Sequence, residues 1–333
     1  MIVTFFLCMG ALLLGVCLGS VRISLSQIFL IMRSKMTGAP IPEGIDASLV
    51  SILWTIRLPR AVTAFLVGGM LSVSGSVMQS VLQNPLASSY TLGVSSGASL
   101  GAAIVIVGAL SLPCVGALTL PLFGFVFGLG TVLLVLGVSS RFDRNVSSHT
   151  VILFGMVVSL FMNAMLTLVS ALNSEHAQKM IMWQMGSFAG RRWYHCAVLL
   201  PCAIAGMLLL MHYHRELDIM TFGDEQSMAV GVDVRKVKRM TMTAAAFLTG
   251  VSVCFTGTIG FVDLIVPHVV RKIFGASSRY VLLMCMLVGG AFMSLADLTA
   301  RTVLSPREIP VGAVTALIGA PFFIWVYFGG GKR

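Results

Sequence analysis

Few residues in this chain can do chemistry, and they fall into four clusters. Arg57-Leu58-Pro59-Arg60 sets two positive charges at the head of an apolar stretch that ends in Gln83-Asn84-Pro85-Leu86-Ala87. The run from Gly257 to His268 brings Asp263 and His268, both ionisable, into apolar surroundings. A short polar run from Gly223 to Gly231 has glycine at both ends. Its Asp224 and Glu225 suit the first turn of a small helix, where the helix dipole favours negative charge. Asp297 and Arg301 stand four apart and can pair on one helix face; Arg307-Glu308-Ile309-Pro310 follows, with Pro310 suited to a helix start. These groups can pair ions, hold an ion or grip a partner. They do not make a nucleotide site. There is no G-x-x-x-x-G-K-[ST] loop, and the nearest run, Gly329-Gly330-Gly331-Lys332-Arg333, lacks both its spacing and its hydroxyl. There is no H-E-x-x-H pair either.

The elements that must position these residues are membrane helices. Of the 333 residues, 57% are hydrophobic and 10% charged, whereas a soluble domain carries about 25% charged residues. A span needs roughly 20 apolar residues. Ten segments approach that: 2–19, 61–82, 92–110, 115–139, 150–172, 194–212, 240–259, 261–275, 280–299 and 311–328, with 261–275 short. The longest polar stretches, 20–57, 173–193 and 213–239, leave no room for a soluble domain. The expectation is an all-α membrane protein of about ten spans, one domain over 1–333, with 213–239 as a loop within it. The first basic residue is Arg22, so the N-terminal segment reads as a retained span rather than a signal peptide.

The chain also repeats itself. Phe65, Leu66, Gly68, Gly75, Pro85 and Gly93 recur 182 residues later as Phe247, Leu248, Gly250, Gly257, Pro267 and Gly275. An odd number of spans separates the copies, about 57–172 and 239–328, so they point in opposite directions. Inverted repeats of Gly/Pro-broken segments mark transporters.

The basic residues of 212–239 and Lys332-Arg333 place that loop and both termini on the cytoplasmic side by the positive-inside rule. The rule is not followed cleanly. Of 22 Lys and Arg residues, 12 fall inside and 10 outside, so an outer face this rich in Arg calls for another reason, such as an acidic partner docking there. The net charge of +10 sits in short loops and not on one basic face, which argues against nucleic acid.

Pro85 removes a helix hydrogen bond and must break or bend the chain. Broken backbone at membrane depth is tolerated only against protein or a water-filled cavity. Asn84 and Leu86 are therefore candidates for a constriction, and the plainer alternative is a helix-ending turn. For Gly223–Gly231 the choice lies between a knob that a partner grips and a solvated loop helix. Gly319-Ala320-Pro321 is expected to break the last span near its middle. His268 reads first as a hydrogen-bonded structural residue. The seven Cys show no C-x-x-C spacing and read as small buried hydrophobes, and the 21 Met read as adaptable packing.

These motifs together resemble the permease subunits of type II ABC importers for iron-siderophores, haem and vitamin B12. The likeness runs from Arg57 to the C-terminus. It rests on RLPR at 57–60, QNPLA at 83–87 with LGVSSGA at 92–98, MWQMGSFAG at 182–190, GDEQSMAVGV, GTIGFVDLIVPHVVR and REIPVGAVTALIGAPFFIW. The resemblance implies a chain that is not an enzyme and carries no cofactor, with ATP and Mg bound by a separate ATPase. The implied partners are a second permease subunit, identical or a paralogue, two ATP-binding subunits, an extracytoplasmic binding protein and the lipid of the cytoplasmic membrane, but no nucleic acid.

By the same resemblance Arg57, Arg60 and Arg301 receive carboxylates of the binding protein. Gly223, Asp224, Glu225, Ala229 and Gly231 form the element that couples to the ATPase. Asn84 and Leu86 belong to the cytoplasmic gate, and Ser147, Ser148 and His149 fall at a second gate segment. The sequence departs from the family pattern at Thr258 and Asp263, and Asp263 is expected to alter helix packing or to pair with an Arg. An ion-coupled secondary transporter also uses inverted repeats and would need intramembrane carboxylates, here Asp263 and Asp297. A membrane scaffold would gain nothing from two Pro-broken repeats. Iron-siderophore is the first expectation for cargo, then haem and cobalamin.

Overall fold

A computed structural model describes residues 1–19, 23–38, 45–143 and 146–329. Arg22, Arg144, Lys332 and Arg333, used in the orientation argument, lie outside them. No strand occurs among the described residues. The helices are α1 Ile2–Cys17, α2 Leu25–Thr37, α3 Ala47–Ser51, α4 Leu58–Val81, α5 Val94–Gly108, α6 Thr119–Phe142, α7 Ser148–Leu172, α8 Ser174–Gln184, α9 Trp193–His212, α10 His214–Met220, α11 Asp224–Ala229, α12 Val234–Thr256, α13 Val262–Phe274, α14 Ser278–Thr302 and α15 Val311–Gly329. Each of the ten apolar segments holds a helix. In lipid the backbone can satisfy its polar groups only internally, so an apolar segment without a paired edge must be helical.

The polar stretches are also largely helical. α2 opens with a capping box, in which Ser24 Oγ accepts from Gln27 N while Gln27 Oε1 accepts from Ser24 N. A π-helical turn, Ile52–Arg57, joins α3 to α4, so 47–81 runs as one long helix. Five helical stretches are long and apolar enough to cross a membrane: 47–81, 116–142, 148–172, 193–212 and 278–302. α1, α5 and part of α15 are apolar but shorter. The expected break at Pro321 is absent, because α15 runs through it. Proline removes only one ladder bond, to the Leu317 carbonyl, and a helix in a bundle absorbs that loss.

α4 is the centre of the bundle. All but two of its residues, Val62 and Phe65, are buried, while α7, as apolar in composition, leaves most of its surface exposed. The difference lies in small residues. A Cβ on Gly68 would fall 2.2 Å from the Gly289 carbonyl oxygen, and one on Gly289 would fall 2.0 Å from Ser72 Oγ. The backbones of α4 and α14 thus meet at a double glycine crossing. A Cβ on Gly75 would fall 1.9 Å from the Asp263 carbonyl oxygen, so α13 lies against α4 equally closely.

Hydrogen bonds fix the direction of the central helices. α4 spans about 36 Å at 1.5 Å per residue. Its first turn meets the end of α14 through Arg60 and Asp297, and the turn after its end meets α10 and α11 through Gln83. The start of α14 is tied to α10 where Asp218 Oδ1 accepts from Ser278 N at 2.6 Å. α14 is therefore antiparallel to α4. α12 is antiparallel to α4 as well, since it begins beside Asp224 and passes Ser74 through Thr249 and the Ala245 carbonyl. The bundle consequently has an arginine end and an α11 end. α1 reaches the arginine end at its C-terminus, where Arg57 binds the Val16 and Cys17 carbonyls. α15 leaves that end and carries Trp325 to Lys272, near the base of α13.

Candidate functional site

The arginine end is a buried charge cluster. Arg60 Nε donates to Asp297 Oδ1 and Oδ2 at 3.0 and 3.1 Å, and its Nη2 donates to Oδ1 at 2.8 Å. Its Nη1 and Nη2 donate to Glu308 Oε1 and Oε2 at 2.7 and 3.1 Å. The planar guanidinium thus engages two carboxylates, as its fork geometry allows. Arg301 lies 3.6 Å from Asp297, as its i, i+4 spacing implies, and donates to the Gly15 carbonyl. Arg57 Nη1 donates to the Val16 and Cys17 carbonyls at 3.2 and 3.1 Å, groups left unsatisfied at the end of α1.

Among the described residues Arg60 and Arg301 meet the carboxylates of this end, and Arg57 is bound to backbone carbonyls beside them. The resemblance implied arginines open to a docking carboxylate. Here Arg57 and Arg60 are buried, and Arg60 is already fully engaged. Glu308 is the exposed member, with 42% of its side chain accessible. Sequence spacing identified the Asp297–Arg301 pair but not Glu308 as a partner of Arg60, because those two positions lie 248 residues apart.

At the other end, α11 is a short surface helix, which suits either reading of the 223–231 run. Gly223 has φ 117° and Gly231 φ 88°, conformations that glycine adopts without a Cβ penalty, and they frame the helix. Ser227 Oγ donates to the Gly223 and Ile219 carbonyls at 2.6 and 3.2 Å and holds α11 to α10. Glu225 and Ala229 face outward. Phe222, Met228 and Val230 add an exposed apolar surface, with Phe222 77% accessible. Asp224 turns inward to Lys238, whose Nζ donates to its Oδ2 at 2.6 Å. Sequence reasoning counted Lys238 as a loop charge. It is fully buried, and no sequence signal separated it from its neighbours Arg235, Lys236 and Arg239.

The two segments that the resemblance marks as gates lie at the same end. Asn84 Oδ1 accepts from Leu86 N at 2.9 Å, which makes the QNPLA run a local turn, and Leu86 is exposed. α4 ends at Val81, before Pro85. Ser147 N donates to Asp143 Oδ2 at 2.9 Å, Ser147 Oγ is 2.9 Å from Thr150 Oγ1, and Ser148 opens α7.

The departure at 263 does not pair with an arginine. The Asp263 carboxylate accepts from Ser88 Oγ, and its Oδ1 has no hydrogen-bond partner among the described residues. Arg271, eight positions on, binds Gln79 Oε1 at 2.7 Å and Ser80 Oγ at 3.0 Å instead. His268 packs edge-on against Phe322 at 6.2 Å. Of the seven Cys, all free, Cys8, Cys196, Cys254 and Cys285 are buried, Cys17 and Cys202 partly so, and Cys114 is exposed. No group of His, Cys, Asp or Glu among the described residues could hold a metal.

A membrane bundle with ion-pair machinery at both ends and no nucleotide loop in its sequence has the form of a transport subunit. Comparison with known proteins agrees. The chain belongs to the FecCD transport family, which matches residues 7–328. It is 39% identical over 313 residues to the uncharacterised ABC transporter permease YvrB of Bacillus subtilis, covering 94% of this chain and 88% of that one. It is 36% identical to the cobalamin import permease BtuC of Halobacterium salinarum, over 86% of this chain and 76% of the relative. It is 35% identical to the hemin transport permease HmuU of Yersinia pestis, over 82% of each. A solved metal-chelate type ABC transporter in an inward-facing conformation superposes with a TM-score of 0.84 at 30% identity, over 98% of this chain and 97% of that one. This chain is accordingly an ABC importer permease, a transport component and not an enzyme.

Proposed function

We propose that this chain pairs with a second permease subunit and passes an iron-siderophore across the cytoplasmic membrane by alternating access, with haem and cobalamin as lesser candidates for cargo. An extracytoplasmic binding protein docks at the arginine end. Two ATP-hydrolysing subunits engage α11, and the α11 end with both termini is cytoplasmic. The segments 57–172 and 239–328 form an inverted repeat, for which the antiparallel course of α4 and α12 is support. The observation that carries the reading is the placing of the two charged stations, Arg57/Arg60/Arg301 and Gly223–Gly231, at opposite ends of the buried α4–α14 pair.

Docking at this end uses the Arg60–Glu308 contact, whose carboxylate side is open to solvent. A receptor carboxylate takes the place of Glu308, the one exposed carboxylate of the cluster. Exposed ion pairs are individually weak and are screened by salt, so receptor affinity falls as ionic strength rises. At the inner end, the resemblance supports Asn84, Leu86, Ser147 and Ser148 as gate residues.

The deciding experiment isolates the tagged chain from membranes with its associated proteins and reconstitutes it in liposomes. Uptake of a ferric siderophore that requires ATP and the binding protein is the expected result. Uptake that proceeds without ATP and collapses when an ion gradient is dissipated would establish the secondary-transporter reading instead.

A further inference from the structure

Lysine is almost never fully buried unless it is paired, yet Lys238 has no accessible surface. Its Nζ has two partners from different parts of the chain: Asp224 Oδ2 on α11 at 2.6 Å and the Val146 carbonyl at 3.0 Å. Val146 immediately precedes Ser147 and Ser148. Asp224 also faces the other gate segment. Gln83, which immediately precedes Asn84, has its Nε2 3.5 Å from Asp224 Oδ1 and donates to the Met220 carbonyl at 3.2 Å. One carboxylate on α11 therefore meets Gln83 directly and reaches the Val146 carbonyl through Lys238.

A second observation is independent of these contacts. Gln83 has φ 51° and Val146 φ 53°, left-handed conformations in residues that are not glycine. For a β-branched residue such as Val146 this is a true outlier. Such conformations persist only where the surroundings over-determine them, and they cluster at switch regions. Both strained residues are held by the Asp224–Lys238 contacts.

We infer that Asp224 and Lys238 form the link that carries movement of α11 to both gate segments, with Lys238 as a positioning residue at its centre. This rests on the coupling role of α11 proposed above. The physical reason is that a buried ammonium cannot release its partners without being stranded away from water. Displacement of α11 therefore draws Lys238, the Val146 carbonyl and the Gln83 turn with it, while Glu225, exposed on the same helix, is free to meet the partner.

The test uses the full complex with its ATPase in proteoliposomes and reads cargo transported per ATP hydrolysed. That ratio responds to a lost linkage and not to a mere fall in the amount of active protein. Lys238→Met should lower the ratio at least tenfold, and Asp224→Asn should lower it in the same direction by less. A ratio within twofold of the unaltered chain in an assembled Lys238→Met complex overturns the inference. If Lys238→Met does not assemble, Asp224→Asn, whose side chain is partly exposed, decides on the same measure. If the unaltered chain couples to an ATPase and the variants do too, only the link falls. If no ATPase associates at all, the link and the proposed function fall together.

Discussion

The Arg60–Asp297 contact should dominate the stability of the arginine end. The side chains of Arg60 and Asp297 are 10% and 3% exposed, whereas that of Glu308 is 42% exposed. Removing one member of a buried pair strands the other and costs about 3–5 kcal/mol. Arg60→Met leaves Asp297 between α4 and α14 with only Arg301, at 3.6 Å, to answer its charge. The lower end of the range, about 3 kcal/mol, is therefore expected. That is more than a hundredfold in the folding equilibrium, at roughly 1.4 kcal/mol per tenfold. Glu308→Gln removes only an exposed partner and should cost about 0–1 kcal/mol.

The double variant Arg60→Met/Asp297→Leu strands neither of the two charges and should recover at least about 1 kcal/mol over Arg60→Met alone. Reversible unfolding in mixed micelles, followed by tryptophan fluorescence, measures all three. Added salt should leave the Arg60→Met loss largely unchanged, because buried pairs are screened far less than exposed ones. The reasoning fails if Glu308→Gln costs as much as Arg60→Met, or if the double variant is less stable than either single one.

Three further outcomes follow from the packing. Gly289→Val forces a side chain onto Ser72 Oγ and should cost more than about 3 kcal/mol or abolish folded yield, whereas Gly10→Ala, with nothing within 4 Å of the added carbon, should be neutral in the same unfolding assay. Ser88→Ala removes the hydroxyl that serves the buried Asp263 carboxylate and should cost about 1–3 kcal/mol, and the added change Asp263→Ala should restore part of that loss in thermal melts. Gly223→Ala places a Cβ at φ 117° and should cost about 1–3 kcal/mol of strain, seen as faster proteolysis at α11 while the rest of the bundle stays protected.

Hydropathy alone determined most of the fold, because lipid leaves an apolar segment no alternative to a helix that satisfies its own backbone. The ten apolar segments, the absence of a nucleotide loop, the Asp297–Arg301 spacing and the glycine-framed helix at 223–231 are all local facts, and each was readable from residue types a few positions apart. Polar stretches were harder to read: α2 is held by its capping box and packing, and α8 and α10 by packing, and none of them by apolar length. Composition also misjudged Pro321, where neighbouring helices support α15 through the lost bond.

Tertiary structure alone decided which apolar helix became the core. α4 is central and α7 peripheral because α4 has glycines where α14 and α13 must approach, and hydropathy cannot rank two helices that are both apolar. It also decided where the charges point. Arg60 meets Glu308 across 248 residues of chain, Asp263 meets a serine in place of an arginine, and Lys238 lies buried among basic neighbours that are exposed. Pairings over such separations depend on which helix faces which. That choice is set by the summed close contacts of the whole bundle, and no window of sequence contains it.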